Sequence, residues 1–527
     1  MTLKNYAPHL LISLLVILVC WPSLSGDFIL DDNSLIKYNP YVKSLHSLSS
    51  YLTQEDGIVD ETDKTNLHTG FYRPLLNFSY FIDYKIWGMK AFGFRLTNIV
   101  LHLICCLLIF QLLILLRIDR FAALLGAIFF AVHPTGTESI SMIVCRNNLL
   151  VTIFSILSFI FYIESRGNRW FYLFTSALFF CFALLSKEVA VMMIPIFFLY
   201  NRSIGSENRG FFKEIVSYLP FLLLLTSYLI LRSQVIGAFT SPITSGDFLI
   251  RLYLIPYAIA SNFLLIFSPF GLHSFYEQYP ESYLGYEILM SYLFFLLLMA
   301  ALWKLRKKLL LIFSMTAFLI AMFPTLNLIP TASPLIKTMR WLYFPFSFLS
   351  IAAAYSLQTA LEKKRFIVLS VLSIIFIYLG AYSYVLNDTL WKNQRSFLNI
   401  EVLHFKNVLF AAGLAEALHD EKKYHEAENL YLTALNAFPN KAEIYINYSA
   451  LLLDTGRTEE AEKYLNKAES LTMTRFERCE RFNNMGVACL HQKQTQCARE
   501  NLKKAVKYCP DNPIFKKNLQ IVEPSYH

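Results

Sequence analysis

The sequence predicts an all-α protein in two parts: a polytopic membrane helix bundle of about eleven spans, followed by a C-terminal α-solenoid of short helical pairs. Three observations lead there. Hydrophobic residues make up 55% of the 527, aromatics 16% and charged residues only 16%, a balance outside the soluble globular range. Apolar runs approaching bilayer length recur from the N-terminus to about residue 387. Beyond that point the chain turns charged and Ala-rich, and small residues return at a fixed period. The expected domains are therefore 1–387 and 388–527.

Taken in order, the spanning candidates are 8–25, 95–116, 121–133, 148–164, 170–185, 188–200, 215–231, 285–303, 309–324, 341–360 and 366–386. Several are short and must tilt or lie inside the bundle. If they alternate, then Lys4, Arg117 with Arg120, Arg166 with Arg169, Arg202 with Arg209 and Lys213, the WKLRKK run at 303–308, and Lys363 to Arg365 all fall on one face. By the positive-inside rule that face is cytoplasmic, together with the N-terminus. The segment 249–267 would break this pattern if it crossed, so it is expected as an interfacial or re-entrant helix on the opposite side. The net charge of +9 is spread through these topological clusters and forms no basic face, which argues against nucleic acid as a partner and for membrane lipid. The first apolar run is read as an uncleaved anchor, because a cleaved signal peptide would leave the acidic pair that follows it at a free terminus.

In the C-terminal part, Ala427 and Ala461 are 34 residues apart, as are Ala434 and Ala468. Ala415 and Ser449 stand 12 residues before the first two, and Gly486 stands 12 before Ala498 in a third unit. This is the spacing of tetratricopeptide repeats, in which small residues let two helices cross closely while Tyr431, Leu465 and Leu502 pack between them. The third unit is displaced by 37 residues, which suggests a lengthened turn around 473–477. About three repeats result, near the minimum for a stable stack, and such a stack offers a concave face to an extended polypeptide. Cys479, Cys489, Cys497 and Cys509 lie here without metal-binding spacing; disulfides among them are open if this part is extracytoplasmic, where parity places it.

Chemistry is expected at the membrane surface opposite the N-terminus. Asp31 and Asp32 follow the first span by a few residues, where carboxylates are costly if they sink into lipid. On the same face parity collects Arg73 in the first loop, His133, Glu138 and Arg146 in the second, Lys187 with Glu188 in the third, and Arg340 in a late one. Carboxylates can deprotonate an acceptor while Arg, Lys or a divalent cation neutralises a departing phosphate. Structural readings compete: a cap on the Pro134 turn for His133, a pair with Arg146 for Glu138, a mutual pair at a tight turn for Lys187 and Glu188, and snorkelling for Arg340. Asn98 and His102, at i and i+4, fit helix–helix contacts better than substrate binding. A non-enzymatic bundle, a transporter, flippase or scaffold whose repeats recruit extracytoplasmic partners, is the alternative.

The ordered stretches FILDD, YRPLLNFSYFIDYKIWG, RLTNIVLHL, HPTGTESI followed by Arg146, SKE, LIFSPFGLHSFY, RWLYFP and WKNQRSFL, leading into the repeats, resemble the transmembrane and tetratricopeptide repeat (TMTC-type) O-mannosyltransferases and their bacterial relatives. These belong to the GT-C class of glycosyltransferases. The resemblance implies transfer of a sugar, mannose first, from a polyprenyl- or dolichyl-phosphate donor to a protein Ser or Thr held near the repeats. It also implies that one of Asp31 and Asp32 is the general base while the other orients it, binds a metal or caps the next segment. Arg146, Lys187 and Arg340 are implied for the donor phosphate, with Arg73, His133, Glu138 and Glu188 as further donor-site candidates. The chain departs from the pattern at Asn147 and Asn148, where relatives usually carry an acidic residue. The short loops favour a bacterial inner membrane over the endoplasmic reticulum.

Overall fold

The computed structural model describes residues 6–43, 71–166, 169–205, 211–236, 245–276, 282, 284–326 and 337–523. Among them there is no strand. Near-continuous apolar sequence leaves a helix as the one way to satisfy the backbone locally in lipid.

The described residues form two compact units, meeting between Gln394 and Arg395. The first contains α1 (Ala7–Cys20), α2 (Pro74–Trp87), α3 (Ala91–Leu115), α4 (Arg120–Val132), α5 (Arg146–Glu164), α6 (Trp170–Ser186), α7 (Met193–Ser203), α8 (Phe211–Ile236), α9 (Ile255–Phe267), α10 (Tyr286–Lys304), α11 (Leu309–Met322) and α12 (Met339–Asp388). Among the described residues seven helical stretches are long and apolar enough to cross a membrane: 7–25, 91–115, 143–164, 214–236, 286–304, 309–326 and 339–388. The chain is a multi-pass membrane protein.

Several expected spans take a different form. The segment 188–200 begins as a 3-10 turn, Glu188–Met192, before α7 starts. The candidates 341–360 and 366–386 are two arms of α12, which breaks at Lys364 (φ −144°, ψ 55°) within the cluster of charges. Residues 249–267 make two pieces, Ser245–Tyr253 and α9, each shorter than a bilayer crossing. The centre of the unit is built where α12 packs on α4 and α5, with Ile351, Ala354, Ala127 and Phe159 fully buried. Polar side chains tie these helices together: His102 on α3 meets the Tyr343 hydroxyl of α12 at 2.6 Å and the carbonyl of Ala131 on α4 at 3.2 Å.

The second unit stacks α13 (Ala411–Asp420) with α14 (Tyr424–Ala437), α15 (Ala442–Asp454) with α16 (Thr458–Glu469), and α17 (Arg475–His491) with α18 (Thr495–Tyr508), and closes with α19 (Pro513–Val522). Ala415, Ser449, Tyr431, Leu465 and Leu502 are fully buried at the crossings. A Cβ added at Gly486 would stand 2.6 Å from Leu502 Cγ, so the third crossing requires glycine. The extra residues of the third unit lengthen a helix: α17 has 17 residues against 13 in α15. Thr474 and Glu477 close a reciprocal capping box at its start, which lets the helix begin earlier than the repeat spacing suggested. Two disulfides, Cys479–Cys509 and Cys489–Cys497, staple α17 to the α18 segment at both ends.

Candidate active site

The acidic pair divides at a turn. Leu30 adopts a left-handed conformation (φ 49°), uncommon for a residue with a side chain, and the N–H groups of Asp32 and Asn33 bond back to Ile29 and Leu30 at 2.9 Å each. The chain reverses there, and the two carboxylates part. Asp32 is fully buried: its Oδ1 accepts from the N–H of Val144 at 2.8 Å, and its Oδ2 from Ile29 at 3.2 Å and Ile143 at 3.3 Å. It therefore ties the first loop to the turn that enters α5. Burial pushes its carboxyl up to about 6, against those three donors and the charge of Arg95. Asp31 is exposed, and its carboxylate has no hydrogen-bond partner among the described residues. A single π turn, Asn33–Lys37, continues from the pair.

The loop before the pair is held from below by Arg95, a fully buried residue of α3 that sequence reasoning did not select. Its guanidinium donates to the carbonyls of Ser23 and Asp27. Gly26 makes room for it, since a Cβ there would lie 2.3 Å from Nη1.

Glu138, fully buried on the short helix Thr137–Ser141, gathers the late segments. It accepts from Ser274 Oγ at 2.9 Å, Thr338 Oγ1 at 3.1 Å and the backbone N–H of Arg340 at 2.9 Å, and pairs with Arg340 Nε at 3.6 Å. Burial raises its carboxyl, and Arg340 opposes the rise. The Arg340 guanidinium lies within electrostatic reach of Asp31.

Lys187 and Glu188 follow α6. Glu188 receives both Nε (3.2 Å) and Nη2 (2.8 Å) of Arg73, a two-pronged pair. Burial opposes its charge, yet Arg73 and Lys187 together hold the carboxyl down at about 2. The Lys187 ammonium donates to Asn148 Oδ1 at 2.5 Å. Burial, assisted by Arg73, brings it down to about 8; Glu188 opposes and Arg340 adds to the shift. Asn148 accepts this hydrogen bond without cancelling the charge, as an acidic residue at that position would. Arg73, Lys187 and Arg340 thus bring three cations from distant parts of the chain into one field.

Arg146 and His133 sit differently. Arg146 is fully buried, with Nε on Asn98 Oδ1 (2.7 Å), Nη1 on Ser79 Oγ (3.2 Å), and Nη2 on Asp83 and the Phe94 carbonyl. Every nitrogen of its fork is engaged within the protein, so it holds α2, α3 and α5 together rather than presenting a fork to a phosphate. Its partner is Asp83, not Glu138. His133 is buried between Thr135 Oγ1 (2.8 Å) and the Ile266 carbonyl (3.1 Å). It caps the Pro134 turn. Among the described residues no group of three His, Cys, Asp or Glu side chains could hold a metal ion.

Residues 73–236 match the family model described as dolichyl-phosphate-mannose-protein mannosyltransferase, and residues 408–472 match the tetratricopeptide repeat. The chain is similar to curated protein O-mannosyl-transferases. It is 31% identical over 212 residues to Protein O-mannosyl-transferase F38B6.6 of Caenorhabditis elegans, covering 39% of this chain and 29% of the relative. It is 24% identical over 517 residues to Protein O-mannosyl-transferase TMTC3 of Mus musculus, covering 89% of this chain and 55% of the relative. The chain spans about half or less of the length of these relatives. Among solved structures it is similar to an archaeal oligosaccharyltransferase, AglB of Archaeoglobus fulgidus, at 13% identity and a TM-score of 0.41, covering 74% of this chain and 56% of that one.

Proposed function

We propose that the protein transfers mannose from a polyprenyl- or dolichyl-phosphate donor to a Ser or Thr hydroxyl of a polypeptide. One arrangement carries this reading: the exposed Asp31 stands next to Asp32, which ties its loop to the N–H groups of Ile143 and Val144, while Glu188 and Glu138 hold Arg73 and Arg340 in place. An exposed carboxylate together with positioned cations suits a reaction that removes a proton at one point and releases a phosphate at another.

In this reading the acceptor oxygen attacks the anomeric carbon as its proton passes to Asp31. The bond from that carbon to the phosphate oxygen breaks, and the lipid phosphate departs with the bonding electrons. Lys187, Arg73 and Arg340 neutralise it. Asp32, Glu138 and Glu188 are positioning residues: they fix the first loop, the late loop and Arg73. Arg146 and His133 support the helices beneath.

The orientation proposed keeps the N-terminus cytoplasmic and the repeats extracytoplasmic, on the side of the acidic loop. Charge parity supports it, and so do the two disulfides, which persist in oxidising compartments. The short loops favour a bacterial inner membrane over the endoplasmic reticulum as the location. On the shared side the repeats hold the acceptor and raise its local concentration.

The test is transfer from labelled lipid-phosphate sugars to Ser/Thr peptides by the purified protein in lipid nanodiscs. Incorporation confined to the mannosyl donor, and lost in Asp31→Asn, is expected. Equal incorporation by that variant would remove Asp31 from the role of base.

A further inference from the structure

The repeat stack is electrically polarised along its length. Residues 411–469, the first two helix pairs, hold eleven Asp and Glu against six Lys and Arg, whereas residues 475–523, the third pair and α19, hold ten Lys and Arg against five Asp and Glu. The positive excess stands in solvent: Lys503, Lys504 and Lys507 on α18 and Lys516 and Lys517 on α19 are all exposed. Lys503 reaches Glu523 at 2.7 Å, and Lys504 lies over the Phe482 ring. Lys507, Lys516 and Lys517 have no acidic partner among the described residues. Like charges left together on one end of a stack repel, and an anionic surface relieves them.

A second observation says which surface. The terminal helix α19 is held in one orientation: Phe515, Leu519 and Val522 bury its inner face in one cluster with Leu502 and Val506 of α18. Asn512 Oδ1 caps it, accepting from the N–H groups of Ile514 at 2.9 Å and Phe515 at 3.3 Å, and Asn518 Nδ2 donates to Asn483 Oδ1 of α17 at 2.8 Å. So fixed, the helix turns Ile514 and Ile521 outward, 61% and 64% exposed, two turns apart on one edge with Lys517 between them. The outer face that closes a helical stack is ordinarily polar. Isoleucines standing among lysines fit a second protein poorly, since Lys is depleted where proteins meet. They fit an anionic bilayer on both counts: headgroups take the lysines, and the isoleucines enter the boundary between headgroup and acyl chain. The repeat unit is also tethered to lipid, because it begins at Arg395, shortly after the membrane-crossing stretch that ends at Asp388.

We propose that the third repeat docks on anionic phospholipid: Ile514 and Ile521 of α19 enter the interface while Lys516, Lys517 and the neighbouring Lys507 bind headgroups. This docking requires nothing of the transfer reaction proposed above.

The experiment places the full chain in nanodiscs of phosphatidylcholine alone or mixed with phosphatidylglycerol and follows backbone hydrogen exchange of residues 513–522 by mass spectrometry. In the wild type, exchange slows about tenfold in the anionic discs, the order expected for two or three lysines held at a charged surface, and added salt reverses the effect. Inorganic phosphate added to neutral discs does not reproduce it. Lys507→Gln/Lys516→Gln/Lys517→Gln removes the difference between the two discs, and Ile514→Ser/Ile521→Ser reduces it. An unchanged thermal midpoint of each variant in neutral discs shows that its fold is intact. Equal wild-type exchange in the two discs, lipid-dependent protection retained by the folded lysine variant, or equal protection by inorganic phosphate overturns the proposal. So does protection in neutral discs that follows protein concentration, the mark of a second copy on this face.

Discussion

Replacing each member of the acidic pair by Asn separates their roles. Asp31 is exposed and without a hydrogen-bond partner among the described residues, so Asp31→Asn removes a proton acceptor and leaves packing untouched. A general base contributes about 10²- to 10⁴-fold, or roughly 3 to 5 kcal/mol of barrier. The expected loss is therefore in kcat, with KM and the unfolding midpoint unchanged. Asp32→Asn is a different perturbation. Oδ1 serves Val144 at 2.8 Å while Oδ2 serves Ile29 and Ile143, and an amide keeps one oxygen and turns an NH2 against the other donors. The rotamer that retains the Oδ2 contacts strands the Val144 N–H, at a cost of about 1 to 3 kcal/mol, partly offset because the buried charge is removed. The loop then shifts, and activity falls together with stability. The assays are steady-state transfer from a labelled mannosyl lipid phosphate to a peptide, and thermal unfolding in nanodiscs. Asp31→Asn with activity within a few fold of wild type, or Asp32→Asn with wild-type stability and a pure kcat loss, would refute the division of roles.

Four further outcomes follow from the same contacts. Lys187 is held near 8 by burial, so its charge is present below that pH and lost above it; donor KM should rise between about pH 7.5 and 9, and Lys187→Arg should abolish that limb of the profile. Asp83→Asn leaves the buried Arg146 guanidinium without its counter-charge and should cost about 3 to 5 kcal/mol, seen as a lowered unfolding midpoint or loss of folded protein. Gly26→Ala drives a Cβ into the Arg95 guanidinium and should reduce kcat through the first loop while donor binding changes little. Peptide mapping without reductant should recover the 479–509 and 489–497 linkages, and reduction should destabilise the third repeat by about 4 kcal/mol, the scale expected for opening the 30-residue loop alone.

Much of this architecture is legible in the sequence because its signals are local. An apolar run declares a helix in lipid, and the period of Ala427, Ala461 and Ala498 declares a stack whose crossings tolerate only small side chains. The form of α12 is readable as well, since the charges at 363–365 mark where its two arms meet. The site is legible only by type. Arg146 carries the same signature as Arg340, an arginine at the end of an apolar run, but its partner Asp83 lies 63 residues away in sequence, and only the fold brings them together. Arg95, an arginine near the start of an apolar run, carries no local signature of its role, which is set by its burial beneath Gly26 under the acidic loop. The choice between Asp31 and Asp32 rests on the left-handed turn at Leu30, for which a leucine gives no sequence warning.

The proposed reaction is transfer of mannose from a lipid phosphate to a hydroxyl of a polypeptide. It is tested most directly by incubating the wild-type protein in nanodiscs with dolichyl-phosphate mannose and a Thr-containing peptide, then mapping the product by fragmentation mass spectrometry. One hexose on the Thr hydroxyl, absent when Asp31 is Asn, is the predicted result; an unmodified peptide with every polyprenyl- and dolichyl-phosphate sugar supplied would contradict the account.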